Sequence, residues 1–246
     1  MTISRQTWNK YISLLRNVND KAAAEIQGYY LNHYYNLANP TSEDAKKLVD
    51  YCYAIVNKYG EASAALSAEM YDAIAVLEGV YVAPAEVAEI ADYGEVAKTV
   101  YGTLNQSKNP EEVASAAARW VKMAGSDTTL KNALRDGAKF AWIPSGETCP
   151  FCLMLASNGW QYASKKAIKG GHAEHIHSNC DCQYCISFGN KTNVSGYDPD
   201  SYGNMLKDAD RHGSWEDRVN ALRREAYAED KEKGEGTNNS ELINVN

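Results

Sequence analysis

The chain reads as mainly α: a helical N-terminal region, then a small α+β module stapled by zinc, then a C-terminal helix. Three observations predict this. Apolar residues recur at helical spacing through the first 140 residues, with no alternating strand pattern. Five of the six cysteines and three of the five histidines fall between Gly146 and Phe188. Beyond that stretch the chain turns polar and charged, with one thin apolar stripe.

The first helix is expected over 5–38. Trp8, Tyr11, Ile12, Leu15 and Val18, then Ala22, Ile26, Tyr29 and Tyr30, fall on one face, and Asn39-Pro40 stops the pattern. Thr41 or Ser42 caps a second helix over about 43–78, with Glu43 and Asp44 in its first turn where the helix dipole favours acids. Gly60 is placed as a kink or break in it. One or two shorter helices are expected over 85–104, interrupted near Gly94. Asn109-Pro110-Glu111-Glu112 is a helix start, with proline early and acids in the first turn. That helix is expected to end at Gly125, and Ser126-Asp127 to cap another reaching about Phe140. Cys52 stands alone in an apolar helical pattern and reads as a small buried hydrophobe.

Short strands are expected at Phe140–Ile143, Trp160–Tyr162 and Gln183–Phe188. A short helix, CPFCLMLASNG, lies between the first two and stops at Asn158-Gly159. A polar connection, GNKTNVSGYDPDSYGN, leads to a charged helix over 214–229 and a polar tail. The expected divisions are a helical region over 1–140, a Cys/His zinc-binding module over 141–190, a linker with a charged helix over 191–232, and a flexible tail over 233–246.

Net charge is −7, and no segment is strongly basic. Residues 1–140 carry 14 basic and 17 acidic groups, 141–195 carry 4 and 3, and 196–246 carry 7 and 12. Phosphate-backbone binding needs a basic face, so non-specific DNA binding is not expected as the main task. No run of 18 apolar residues is present, and the N-terminus lacks the layout of a signal peptide, so neither a membrane span nor secretion is expected.

The Cys/His stretch carries the chemistry. Cys149 and Cys152 form a C-x-x-C knuckle. From His172 the chain continues His175, His177, Cys180, Cys182 and Cys185. Two ligand-rich ends joined by a loop suit a tetrahedral zinc ion, which takes four N or S ligands. The expected set is Cys149, Cys152, His177 and one of Cys180 or Cys182. The last two alternate, so in an extended segment they point to opposite faces and one drops out. His172 and His175 read as solvated loop residues and Cys185 as a buried thiol or strand residue. A glutaredoxin-like redox site would need a βαβ frame that the helical upstream region does not supply. A zinc deaminase uses H-x-E followed by P-C-x-x-C; here His172-Ala173-Glu174 follows the knuckle, so the order is reversed. A nuclease of the HNH type lacks its expected Asn and second His. No G-x-S-x-G, Walker or G-x-G-x-x-G motif is present.

TCPFC, then LMLASNGWQY, a variable loop and HSNCDC resemble the C-terminal motif of phage head-morphogenesis minor capsid proteins of the Mu F-like group, in particular those of tailed phages of Gram-positive bacteria. NKYGEASAALSAEMYDAI is similar to that group's helical region. By position, the resemblance carries over Cys149, Cys152, His177, Cys180 and Cys182 as metal or motif residues. Asn158 stands where the family often has Arg, and His172, His175 and Cys185 are additional. The resemblance implies a non-enzymatic virion protein with structural zinc, associated with the portal protein and with the major capsid protein as a further partner. It would act in head assembly or genome delivery, made in the host cytoplasm and placed inside the capsid or at the portal vertex near packaged double-stranded DNA. The alternative is a zinc-dependent nucleic-acid-processing phage enzyme, nuclease or deaminase-like. An open coordination position beside Glu174 would mark it.

Overall fold

A computed structural model describes residues 1–144, 147–148, 150–164, 182–189, 192–209, 221 and 243–244. The described chain is mainly helical with a few short strands. It divides into two compact units. Among the described residues, one comprises Ser13–Asp136 with Ser164; the other comprises Met1–Ile12, the described part of 137–163, and the described residues from Cys182 onward. Among the described residues no helix is long and apolar enough to cross a membrane.

The first unit is helical. It holds most of α1 (Arg5–His33), then α2 (Ser42–Glu78), α3 (Tyr93–Gln106) and α4 (Pro110–Asp136). α1 stops at His33, earlier than the expected boundary at 38. α2 opens on a complete capping box: the Thr41 hydroxyl accepts from the Asp44 N–H, and the Asp44 carboxylate accepts from the Thr41 N–H. It closes at Gly79, whose φ of 67° is the left-handed conformation of a helix C-terminus. α3 has an equivalent box formed by Asp92 and Glu95. The core joins Ala22, Ile26 and Tyr30 of α1 to Leu48, Val49, Cys52, Ile55 and Val56 of α2. Val96 and Val100 of α3, and Val113 to Val121 of α4, complete it. Each such aliphatic side chain contributes about 1.5–3 kcal/mol when fully buried. Around the rim, Tyr29 stacks on Tyr51 with ring centroids 4.0 Å apart. Tyr59 and Lys58 both reach the Glu25 carboxylate, at 2.6 and 3.0 Å. Those two hydrogen bonds, Tyr59 first, hold the Glu25 carboxyl below its ordinary pKa.

Three sequence expectations are corrected here. Gly60 does not kink α2; it is buried within a continuous helix. A Cβ there would meet the Ile90 Cγ2 at 2.9 Å, so the glycine makes room for a neighbour rather than breaking the helix. α4 does not stop at Gly125 and restart at Ser126-Asp127. It runs through to Asp136 because Gly125 is where α2 crosses closely: a Cβ would lie 2.7 Å from Ser63 Oγ and 2.8 Å from Ser67 Oγ. Ser126 and Thr128 are fully buried inside that helix, and the Thr128 hydroxyl donates back to the Ala124 carbonyl.

Residues 85–92, expected to be helical, instead continue an irregular strap over 80–92. Its backbone groups find side chains in place of a helical ladder. The Ala85, Glu86 and Ala88 N–H groups donate to Asp72 Oδ1, Asn132 Oδ1 and Thr128 Oγ1 at 2.8, 2.9 and 3.0 Å. Asn132 Nδ2 donates to the Glu86 carbonyl, and Arg135 donates to the carbonyls of Ala83 and Pro84. Helical periodicity cannot reveal this arrangement, because the partners are polar side chains on other elements, Asp72 on α2 and Thr128, Asn132 and Arg135 on α4.

The second unit holds the strands. β1 (Thr2–Ile3) lies parallel to β6 (Asn193–Val194), a pairing the helical reading of the N-terminus missed. β2 (Lys139–Ile143) is the central strand of a three-stranded antiparallel sheet, between β4 (Gln161–Tyr162) and β5 (Gln183–Ser187). β3 (Glu147–Thr148) pairs with β7 (Ile243–Asn244). α5 (Pro150–Ser157) packs on β2, and α6 (Pro199–Ala209) packs on α5. α6 falls within the stretch expected to be a polar connection. The helix expected over 214–229 lies outside the described residues, apart from Ala221.

Candidate metal centre

The sheet of the second unit positions the cysteines. β2 follows Gly137, whose φ of 63° turns the chain out of α4. In the β2–β5 pair, Phe140 faces Ile186, Ala141 faces Cys185, Trp142 faces Tyr184 and Ile143 faces Gln183. Direct antiparallel partners share a face, and alternate residues change face. Trp142, Tyr184 and Phe140 therefore cluster on one side, with Tyr184 edge-on to Trp142 at 4.5 Å and to Phe140 at 5.4 Å. Ala141 and Cys185 lie on the other. Every residue of β5 is buried, so the strand is covered on both faces.

Cys152 sits in the first turn of α5 and is 1% exposed; Cys182 immediately precedes β5 and is 3% exposed. The β2–β5 ladder ends with Ile143 opposite Gln183, and Cys182 is the residue just before it. Cys152 and Cys182 come from the two ends of the Cys/His stretch, yet both are buried in one small unit. Two buried soft sulfur donors from separate segments suit a zinc or other thiophilic ion. The remaining members of the expected set, Cys149, His177 and Cys180, lie outside the described residues, as do His172, His175 and Glu174. Among the described residues, no group of three or more His, Cys, Asp or Glu is disposed to hold a metal. Cys185 is a buried strand residue within β5. Cys52 belongs to the other unit's apolar core, where burial pushes its thiol pKa up to about 12.

Three residues not singled out from sequence, Tyr197, Tyr202 and Arg5, help hold this unit together. The Tyr197 hydroxyl donates to the Ala156 carbonyl at 2.8 Å, tying the chain after β6 to the last turn of α5; burial, before any neighbouring charge, pushes the Tyr197 pKa up. Tyr202 is buried on α6. Burial raises its pKa, Arg5 pulls it down by charge and by a hydrogen bond to the hydroxyl, and Cys182 is close enough to push it up again. Arg5 Nε donates to the Ser195 carbonyl and Nη1 to the Pro144 carbonyl, each at 2.9 Å. The β1–β6 pairing brings Arg5 here. Gly196, at φ 78°, leaves open space that a Cβ would bring to 3.2 Å from Arg5 Nη2. A signal for α6 was present in the sequence: Asp198-Pro199 is an N-cap followed by proline at the first helical position, and the Asp198 carboxylate accepts from the Asp200 N–H. Arg5 gives no comparable local signal, since its partners are 139 and 190 residues away.

No curated protein and no solved structure matches the chain. The family model described as VG15 protein matches residues 2–209, from β1 through the end of α6, and so spans both units. The chain belongs to the VG15 protein family, a family of phage proteins.

Proposed function

We propose that this phage protein is a minor capsid protein of head morphogenesis, associated with the portal and held together in its second unit by a structural zinc ion. The observation that carries the reading is the burial of Cys152 and Cys182 in one unit, from the two segments of the C-x-x-C and H-x-x-C-x-C pattern. Membership of a phage family supports the virion setting. The ligand set is Cys149, Cys152, His177 and one of Cys180 or Cys182. In this reading the metal is structural: it supplies folding free energy to a unit whose described strands are at most five residues long. The helical unit offers contact surfaces to the portal and capsid proteins, and the protein acts in head assembly or genome delivery rather than by catalysis. The absence of a strongly basic segment suits a protein lying beside packaged DNA without adhering to it.

Two measurements test this. Purified protein should carry one equivalent of zinc, and a chelator should lower its thermal midpoint; an unchanged melt would reject structural zinc. Cys152→Ser should act like the chelator. Mass spectrometry of purified virions should find the protein at low copy number together with the portal. Its presence in infected-cell lysate but absence from virions would reject the capsid assignment. A zinc site with three protein ligands and an exchangeable water would favour the enzymatic alternative.

A further inference from the structure

We propose that the outward face of α2 over 62–77, with the strap that returns beside it, is a docking surface for an amphipathic segment of another protein, apolar on one face and flanked by Lys or Arg. The proposal rests on neither the zinc reading nor the virion reading. α2 packs on α4 with one face, where Ser63, Ser67, Tyr71 and Ile74 are buried. The opposite face, Ala62, Ala65, Glu69, Ala73, Val76 and Leu77, is exposed and carries a single charge. At 1.5 Å per residue it is about 22 Å long. Val76 is 77% exposed and Leu77 62%. Gly79, in the left-handed conformation, then turns the chain into the strap. The Asp72 carboxylate on the Ala85 N–H, and the Ile90 side chain against Gly60, keep the strap alongside α2.

The strap presents apolar side chains on a fixed backbone. Tyr81 is fully exposed and Val87 more than half exposed, so neither serves the unit's own core. The backbone around them is held by α4. Arg135 donates to the Ala83 and Pro84 carbonyls and Lys131 to the Val87 carbonyl, while Asn132 and Thr128 accept from the Glu86 and Ala88 N–H groups. Its ordering is therefore complete before a partner arrives, and tyrosine is a side chain in which interface energy concentrates.

Charge selects the occupant. Between Lys58 and Lys98 the chain carries eight acidic residues and no Lys, Arg or His. Glu69 lies within the exposed face of α2, and Glu61 and Glu89 flank the Gly60–Ile90 contact at one end of it. All three are exposed and form no ion pair among the described residues. The exposed basic residues that α4 brings beside the strap are already engaged, Lys131 with Glu86 at 3.2 Å and Arg135 with Asp136 at 2.8 Å. An apolar face in an acidic field favours a cationic, apolar partner and repels DNA phosphates and anionic lipid. A second copy docked face to face about a two-fold axis would set the same acids against each other. The fitting partner is a segment laid along α2 with apolar anchors at helical spacing and basic residues at their flanks.

The test selects binders to the full-length protein from a display library of random peptides of about 16 residues, the helix length that spans the face. Counter-selection uses the Val76→Ser/Tyr81→Ser double variant. Recovered peptides should be net positive, with apolar residues at helical spacing. Their affinity is then measured by fluorescence anisotropy. Tyr81→Ser and Leu77→Ser should each weaken binding at least about tenfold. Glu69→Lys combined with Glu89→Lys should do the same, and Glu111→Lys, at the start of α4, should leave affinity unchanged. Raising salt from about 0.05 to 0.5 M should weaken binding to wild type. Every substituted side chain is exposed, so circular dichroism and melting temperature should match wild type and tie any loss to the surface. Neutral or acidic peptides, no enrichment, or binding indifferent to Tyr81→Ser and Leu77→Ser would each overturn the proposal. So would dimerisation in sedimentation velocity that Val76→Ser/Tyr81→Ser abolishes, since the occupant would then be a second copy.

Discussion

Gly125→Ala is a test of sign. In an exposed helix interior, replacing glycine by alanine stabilises by about 1 kcal/mol, because glycine loses more backbone freedom on folding. At position 125 the new methyl would meet Ser63 Oγ at 2.7 Å, Ser67 Oγ at 2.8 Å and the Ser63 carbonyl oxygen at 3.2 Å. The two hydroxyls are on buried residues, 2% and 1% exposed, so their room to rotate is small. The carbonyl belongs to the backbone of α2 and moves only if the helix moves. Overpacking of this kind costs about 1–3 kcal/mol. Set against the gain of about 1 kcal/mol in propensity, the net expectation is a destabilisation of about 1 kcal/mol. Urea denaturation followed by far-ultraviolet circular dichroism measures it. Adding Ser63→Ala and Ser67→Ala to the variant removes two of the three close contacts and should recover most of the loss. A Gly125→Ala protein more stable than wild type would refute the close crossing and return Gly125 to the role of an ordinary helix interruption.

Other outcomes follow from the same geometry. Asn132→Ala removes both hydrogen bonds to Glu86 and leaves polar backbone of the strap without partners, at about 2–3 kcal/mol. Hydrogen exchange at the Glu86 amide and proteolysis within 80–92 should accelerate at unchanged helix content, and protection equal to wild type would reject the anchoring. Asp127 has its pKa raised to about 6, by burial first and then by Glu95. A carboxyl with a folded pKa above its unfolded value near 4 stabilises the fold at low pH and loses that contribution as pH rises through about 4 to 6. Asp127→Asn should therefore be more stable than wild type at pH 7, by about 3 kcal/mol, with the difference vanishing below pH 4; a difference independent of pH would reject it. Cys52, with its thiol at about 12, should resist alkylation at pH 8 in the native state and react only on unfolding, as peptide mapping would show.

Much of the helical unit was legible because its signals are local. Thr41 with Asp44, and Asn109-Pro110 with two acids, announce helix starts by chemistry confined to four residues. Apolar spacing on α1 and α2 marked the residues that meet in the core. The failures share one cause. Gly60 and Gly125 carry a local signal for interruption, and each is overridden by what packs against it: Ile90 in one case, Ser63 and Ser67 in the other. Residues 85–92 have enough alanine and valine to suggest a helix. The side chains of Asp72, Thr128 and Asn132 take up their backbone N–H groups instead, and those partners lie on α2 and α4.

The candidate centre divides along the same line. Cysteine spacing is visible in one dimension, so the C-x-x-C and H-x-x-C-x-C segments could be read as the ends of one site. What holds the unit around Cys152 and Cys182 is not periodic. Tyr197 acts through one hydroxyl on a helix-end carbonyl, and α6 was hidden because a run of Gly, Asp, Ser and Tyr resembles a turn more than a helix. Arg5 is the extreme case. A lone arginine near the start of an amphipathic helix reads as a solvated charge, and most such residues are. Only the parallel pairing of Thr2–Ile3 with Asn193–Val194 turns it into a contact with Pro144 and Ser195. Parallel pairing requires a long crossover, which here runs through α1–α4 and then β2 to β5. A cut after residue 12 would therefore remove β1 and Arg5 from the cysteine-bearing unit while sparing the ordered helices from Ser42 onward. On the structural-zinc proposal, zinc retention in that truncated chain should fall before helical content does, and the reverse order would place the N-terminal segment with the helices rather than with the cysteines.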